Sequence, residues 1–459
     1  MKKIGMRALS LALAGMIAAP VCGFAADNTK EYTVKNPYAE VVWSGDNAWG
    51  AYKGSLHTHS SVSDADTNLR EMVMDHYEQG YDFLAMTDHG VTGKAWNEKA
   101  TQLPLYLYQW IIGLKPNRLT DEEFLGVTTG TYPVNGVPRG KKMTCVTGGN
   151  ELNALTITKC HVNGMFLPEG VGDNYLGYEN DHEGAVKLAD EAGGISFINH
   201  PGDWLKSNSN PDVVNDPEMV HYYSNILLKY DSCYGMEVFN ERNGPTGYDR
   251  ILWDNVLMEC LPYGKTIIGY SNTDAHWHAH VDSSYSIFMM EDNTVENIKK
   301  TMMNGAFFCI TRVLRANEKF GPAENMDVSY SEVPVPTFTD IKVEGHTVTV
   351  KAKDFYNLQW VANGNVIASQ DVTQSSEEYT YTLNLDEIPG AEDFLYIRAQ
   401  LLGEGGINCS QAFVIDDGSE PLTYVVDNSR EAKWEAVKWK LSSLRICVLF
   451  QKIIDAIKD

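Results

Sequence analysis

Positive charge is scarce in this sequence of 459 residues. Lys and Arg number 37 against 61 Asp and Glu, giving a formal net charge of -24. Such a surface repels nucleic-acid phosphates, so no nucleic-acid polymer is expected as a partner. A small anionic substrate stays admissible where bound cations set the local field. Cysteine is scarce too. Eight occur, one of them Cys22 near the start, with scattered spacing and no CxxC. That excludes a disulfide framework and a closed structural zinc site built on thiolates. Cys145, Cys160, Cys233 and Cys309 lie in apolar runs and read as buried thiols; Cys145–Cys160 and Cys233–Cys260 stay open as pairs. The apolar stretch from Leu9 to Val21 is too short to span a bilayer. Lys2, Lys3 and Arg7 precede it and Gly23-Phe24-Ala25 follows, so residues 1–25 read as a secretory signal peptide. The expected location is periplasmic or secreted.

What is present is enough apolar material for a large core, 43% of residues. From residue 26 to about 330, short apolar runs alternate with amphipathic helical stretches. The expected strands are Tyr52–Thr58, Asp82–Thr87, Met143–Thr147, Cys160–Leu167, Ile195–Asn199, Tyr234–Phe239 and Thr266–Ser271. Leu69, Met72, Val73, His76 and Tyr77 share one helical face, and Gly80 suits that helix's end. This alternation implies an α/β fold with a mostly parallel sheet, better closed as a barrel than left open. Residues 95–142 form an aromatic, Gly- and Pro-rich insertion, read as a surface excursion. Residues 335–416 read as an all-β, Ig-like sandwich, with Asn363-Gly364 marking a hairpin; Trp360 and Tyr396 belong to its core. Residues 417–459 read as a linker and a C-terminal amphipathic helix. That helix docks on its own protein in the favoured reading, with membrane contact the lesser one.

The chemistry sits at the strand ends. In Leu56-His57-Thr58-His59-Ser60, residues i and i+2 of an extended segment point the same way, so His57 and His59 can grip one ion. Asp64 follows on the next loop. His89 ends the second strand, Glu151 follows the third, and His161 opens Cys160-His161-Val162-Asn163-Gly164. His200 ends the fifth strand, and Asp274 and His276 follow the last. In a parallel barrel these ends share one face, so nine ligand-type side chains converge. Mixed N and O donors suit zinc, manganese or iron. His76 reads as core, and His182, His221 and His346 show no partner pattern. His278 and His280 read as packed or exposed histidines at the edge of the motif. Lys94 is a weak candidate for a substrate contact.

These motifs resemble, in order and composition over about residues 50–315, the PHP (polymerase and histidinol phosphatase) superfamily. The resemblance implies a distorted (β/α)7 TIM-like barrel and two or three divalent metal ions. One ion would be held by His57, His59, Glu151 and Asp274, a second by Asp64, His89 and His276. A third would be held by Glu151, His161 and His200, with Glu151 bridging. Ser63-Asp64-Ala65 stands where the family reads Ser-Asp-Gly, so the ligand is kept and the turn differs. The resemblance implies a phosphoesterase acting on a small phosphomonoester or nucleotide-like substrate through metal-activated hydroxide. Arg242 and Glu237 are the candidate substrate-side residues, Glu237 standing behind or beside the ligands and Arg242 able to clamp a phosphate. The competing functions are a metallohydrolase of carboxylic esters or amides and a non-catalytic surface binding protein.

Overall fold

A computed structural model describes residues 31–100, 117–153, 160–173, 181–207, 209–241, 247–314, 326–327, 333–373, 375–427, 429–430, 433–434 and 437. The signal segment, most of the C-terminal helix and Arg242 lie outside the described residues, as does part of the 95–142 insertion. Among the described residues no helix is long and apolar enough to cross a membrane.

All seven expected strands form: Gly50–Ser55, Phe83–Ala85, Thr144–Val146, Val162–Met165, Ile195–Ile198, Cys233–Asn240 and Ile268–Asn272. The helix Leu69–Glu78 forms as its periodicity predicts, burying Leu69, Met72, Val73, His76 and Tyr77. Asn68 caps it by accepting from the Glu71 amide.

The strand pairing is mostly parallel, as expected, with one reversal. Gly50–Ser55, Phe83–Ala85 and Thr144–Val146 pair in parallel in one sheet. A five-stranded sheet runs Ile268–Asn272, Cys233–Asn240, Ile195–Ile198, Val162–Met165, Asn150–Leu152. Its first three strands are parallel, but Val162–Met165 is antiparallel to both neighbours. The cause is local. At Gly148 the backbone turns through φ +78°, and a Cβ there would stand 2.7 Å from the Leu167 carbonyl oxygen. The chain then makes the extra strand Asn150–Leu152, which carries Glu151, and returns beside itself; a return this short dictates antiparallel pairing.

Two isolated parallel bridges, Thr58 with Ala275 and His89 with Glu151, join the C-terminal ends of the two sheets. Both are made by residues of the His, Asp and Glu motifs or their immediate neighbours. The two sheets thus meet at the ends that carry these motifs.

The C-terminal β region does not stand apart. Thr337–Glu344, Thr347–Lys353 and Tyr379–Asn384 form a three-stranded sheet. The remaining strands, among them Asn357–Ala362, Tyr396–Gly403 and Gly406–Cys409, continue the sheet that holds Gly50–Ser55. The seam is Phe307–Thr311 against Gly406–Cys409. Every residue of both seam strands is buried, so neither can be a solvent-facing edge. Asn363 (φ +44°) and Gly364 (φ +70°) make the tight hairpin turn expected of Asn-Gly. Trp360 and Tyr396 are core residues. Cys145, Cys160, Cys233, Cys260, Cys309 and Cys409 are free thiols, so neither candidate pair is bridged.

Candidate metal centre

The nine motif residues meet at one place. His57 and His59 leave the strand Gly50–Ser55 on the same side and bring their Nε2 atoms within 3.2 Å of each other. Glu151 Oε2 lies 3.2 Å from His57 Nε2 and 2.9 Å from His59 Nε2. Asp274 Oδ1 lies 3.2 Å from each of the same nitrogens. Five of the six spacings among these four donor atoms thus fall between 2.9 and 3.2 Å. A tetrahedral ion with bonds of about 2.0–2.1 Å has edges of about 3.3–3.4 Å, so these spacings are of the size that a bound divalent cation would need.

The hydrogen bonding points the same way. Asp274 Oδ1 is buried and has no hydrogen-bond partner, although two imidazole nitrogens stand beside it. His89 Nδ1 is equally orphaned, 3.2 Å from Glu151 Oε2. Lone pairs aimed at a common point are costly without a proton or a cation between them.

Glu151 divides the cluster. Its Oε2 faces His57, His59 and His89, while its Oε1 faces His161 Nδ1 and His200 Nε2, each at 3.1 Å. Asp64 lies 3.5 Å from both His89 Nε2 and His276 Nε2. The donor groupings are therefore His57, His59, Glu151, Asp274; His59, Asp64, His89, His276; and His89, Glu151, His161. The first is the expected set. The second is the expected set plus His59. In the third His89 stands where His200 was expected, though His200 shares the same Glu151 oxygen as His161.

Burial makes the site one-sided. His57 and His59 are fully enclosed and Glu151 is 1% exposed, whereas the side chains of Asp64 and His276 are 34% and 30% exposed. The cluster is therefore open to solvent on the Asp64 and His276 side. Charge is strongly coupled inside. Burial alone would lower the histidine pKa values, but the Asp274 and Glu151 carboxylates beside it push His59 up to about 10. Burial is likewise outweighed at His200, which Glu151 raises to about 9. His89 goes the other way, to about 4, because burial dominates. Burial opposes ionisation of Glu151 and Asp274 also, yet the surrounding imidazoles hold both carboxyls well below the usual range.

The backbone is bent to serve this geometry. His200 (φ +21°), Glu241 (φ +46°) and Asp274 (φ +43°) all end strands of the five-stranded sheet in conformations that L-residues rarely adopt. Each costs about 1–3 kcal/mol, and such strain gathers at functional sites.

Supporting residues fill in behind. Glu237 is fully buried. It accepts from His57 Nδ1 at 2.9 Å, the His200 amide at 2.9 Å, Asn240 at 2.8 Å and Asn272 at 2.9 Å. Both its oxygens are thus engaged inside the protein. Its place is behind His57. A carboxylate on the far nitrogen fixes the tautomer and aims Nε2 into the cluster. Asp88 shapes the first loop, accepting from the Ser60 amide at 2.7 Å and the Ser63 amide at 3.2 Å. Asn199 donates to Glu151 Oε1 at 2.7 Å.

Sequence reasoning missed Asn199, whose only signal is its place before His200, and Glu241. The latter forms a donor group with Asp274 and His276 at the open rim. Its signal was masked by the adjacent Arg242, the more obvious phosphate partner. His280 Nδ1 lies 3.7 Å from Glu241 Oε1 and His278 is exposed. Lys94 is paired with Glu169. His76 donates to the Met72 carbonyl as a core residue.

No protein-family model matches the sequence, and no curated protein matches it. Among solved structures, the chain is similar to a two-domain protein from Bacteroides vulgatus containing a predicted PHP-like metal-dependent phosphoesterase. Identity is 14% and the TM-score 0.40, over 85% of this chain and 100% of that one. It is similar also to the lesion-specific endonuclease EndoQ of Pyrococcus furiosus, at 17% identity and a TM-score of 0.29, over 55% of this chain and 56% of that one.

Proposed function

We propose that this protein is a metal-dependent phosphoesterase of the PHP type, hydrolysing a small phosphomonoester or nucleotide-like substrate. The observation that carries the reading is the cluster of His57, His59, Glu151 and Asp274, whose donor atoms all lie within 4.8 Å of one another and in which the buried Asp274 Oδ1 has no hydrogen-bond partner. On this reading the strands of the two sheets make up the distorted seven-stranded barrel of that family.

His57, His59, Glu151 and Asp274 would hold one ion; Asp64, His89 and His276 a second; Glu151, His161 and His200 a third. Divalent cations there supply activated water and offset the charge of a phosphoryl group. The protein's own residues do the rest. Glu237 keeps the His57 Nδ1 proton in place and so leaves Nε2 as a donor atom. His276 Nδ1 donates to the Asp274 carbonyl at 3.0 Å, which turns its Nε2 toward Asp64. Enclosure of His57, His59 and Glu151 excludes bulk water from the inner wall, so the fields of the charged groups act at low dielectric. Asp64 and His276 at the rim meet the incoming group first. The acidic surface favours a small substrate over a polymer.

The test is metal analysis of purified protein together with a hydrolysis panel. The panel holds p-nitrophenyl phosphate, nucleoside monophosphates, an oligonucleotide, and matched ester and amide substrates. Bound divalent metal with phosphate release from the monoesters is expected. Turnover confined to the esters or amides would replace the phosphoesterase with a different metallohydrolase. Turnover confined to the oligonucleotide would overturn the small-substrate part.

A further inference from the structure

One acid at the mouth of the cluster belongs to none of the expected ligand sets. Glu241 follows the strand Cys233–Asn240, with its backbone at φ +46° and its carbonyl accepting from the Ser284 hydroxyl at 3.1 Å. Its Oε1 lies 3.7 Å from His276 Nδ1 and 3.7 Å from His280 Nδ1. Both distances are longer than a hydrogen bond, so the carboxylate stands between the two imidazoles without being spent on either. Its side chain is 17% exposed, beside that of His276 at 30%. Glu241 therefore lines the open side of the cluster, the side that Asp64 and His276 share.

The two rim acids differ in what surrounds them. Asp64 lies 3.5 Å from Nε2 of both His89 and His276, within a donor grouping whose charge a cation would offset. Glu241 falls in a grouping with Asp274 and His276. There the nitrogen nearest to it, His276 Nδ1, donates to the Asp274 carbonyl at 3.0 Å. A carbonyl only accepts, so that nitrogen carries a proton and has no lone pair for an ion. Holding an ion is therefore not what Glu241 does at the rim.

The inner wall is closed, since His57, His59 and Glu151 are enclosed. A phosphoryl group seated on the cluster must leave its alcohol part on the open side, past Glu241. A carboxylate there accepts charge-assisted hydrogen bonds from hydroxyl groups. It repels a phosphate, and in a partly enclosed site that repulsion is screened less than on a bare surface.

We propose that Glu241 is a specificity-determining residue. It admits phosphomonoesters whose alcohol part is uncharged and bears hydroxyl groups, and it turns away those that carry a second phosphate. The inference rests on the phosphoesterase reading above and deepens it by naming the other half of the substrate.

The experiment compares kcat/KM for adenosine monophosphate and for an adenosine bisphosphate phosphorylated on a second ribose hydroxyl, using the metal-loaded full chain as wild type and as Glu241→Gln. Wild type should favour the monophosphate. The ratio of the two kcat/KM values should fall about 10-fold in the variant, mostly through a lower KM for the bisphosphate. The ratio is the readout because a general loss of activity, of metal or of folded protein cancels from it. The gap between the wild-type and variant ratios should also shrink as ionic strength rises, since salt screens the carboxylate. A wild type that prefers the bisphosphate, a ratio unchanged by the substitution, or a gap indifferent to salt would overturn the inference. If Glu241→Gln does not fold, Glu241→Asn, which suits the positive φ better, takes its place with the same fall expected. Phosphate release from neither compound by wild type would remove the phosphoesterase reading and this inference with it. Turnover of both at an unchanged ratio would overturn this inference alone.

Discussion

Two of the buried charged clusters among the described residues are built on opposite plans. One joins the helix Asp249–Cys260 to the strand Tyr396–Gly403. Arg398 grips Asp254 through two hydrogen bonds of 2.8 Å and donates a third to Gln400 at 2.9 Å. The Tyr396 hydroxyl donates to the same carboxylate at 2.6 Å. Each donor there has an acceptor. The other is the His, Asp and Glu cluster, where Nε2 meets Nε2 and buried atoms of Asp274, His89 and His200 go unpaired. A saturated cluster is structure, because its bonds repay the desolvation of its charges. An unsaturated one is a site, because the missing partner has to come from outside the chain.

Breaking the second cluster should give the largest effect on activity. Glu151→Gln removes the carboxylate that five histidines share. Hydrolysis of p-nitrophenyl phosphate should fall on the order of 10²–10³-fold. The rise in melting temperature that added metal gives the wild type should disappear with it. A variant that keeps this metal-dependent rise would show that Glu151 is not the bridge.

Breaking the first cluster should hit stability instead. Asp254→Ala leaves Arg398 charged, buried and uncompensated, at a cost of about 3–5 kcal/mol in denaturant unfolding. Turnover per folded, metal-loaded molecule should change little. The same cluster bears on removal of the C-terminal region. Since Phe307–Thr311 pairs with Gly406–Cys409 and Asp254 pairs with Arg398, cutting after residue 330 should yield insoluble protein instead of an active core.

Glu237→Gln sharpens the contrast, because Glu237 is saturated yet touches the site. It should weaken metal binding by about 10–100-fold through His57, with the fold retained by circular dichroism. An unchanged affinity would mean that the His57 Nδ1 contact does not tune the ligand.

How much of this could be read from the amino-acid sequence differs by level. The clustered residues were legible because His and Asp at the ends of short apolar runs are a local pattern, and the alternation of His57 and His59 fixes their common side without any knowledge of the fold. The strands were legible for the same reason. Pairing direction was not, since the turn at Gly148 that leads into Asn150–Leu152 depends on a close approach to Leu167, a contact remote in sequence and silent in composition. The continuity of the C-terminal strands with the main sheet was hidden too. Gly406–Cys409 looks like one more short run until its partner strand is known. Residues that support the cluster were the hardest to find. Asp88 and Asn199 act through geometry, and nothing in their spacing distinguishes them from surface polar residues.

The smallest effect concerns a histidine that belongs to neither cluster. His76 is fully buried, spends Nδ1 on the Met72 carbonyl and is pushed down to about 3, chiefly by burial. Its value in the unfolded chain is about 6.5. The folded state therefore refuses a proton that the unfolded chain accepts between those two values. Stability from this residue is complete above about pH 6.5 and declines as the pH falls toward 3. His76→Met should flatten the dependence of unfolding free energy on pH between 6 and 4 by roughly 1 kcal/mol per pH unit. Metal-stripped protein is the right material, since it keeps ligand protonation from adding its own slope through bound ions. If the variant shows the same slope as wild type, His76 is not a source of acid sensitivity, and the unsaturated cluster is left as the place where protons act.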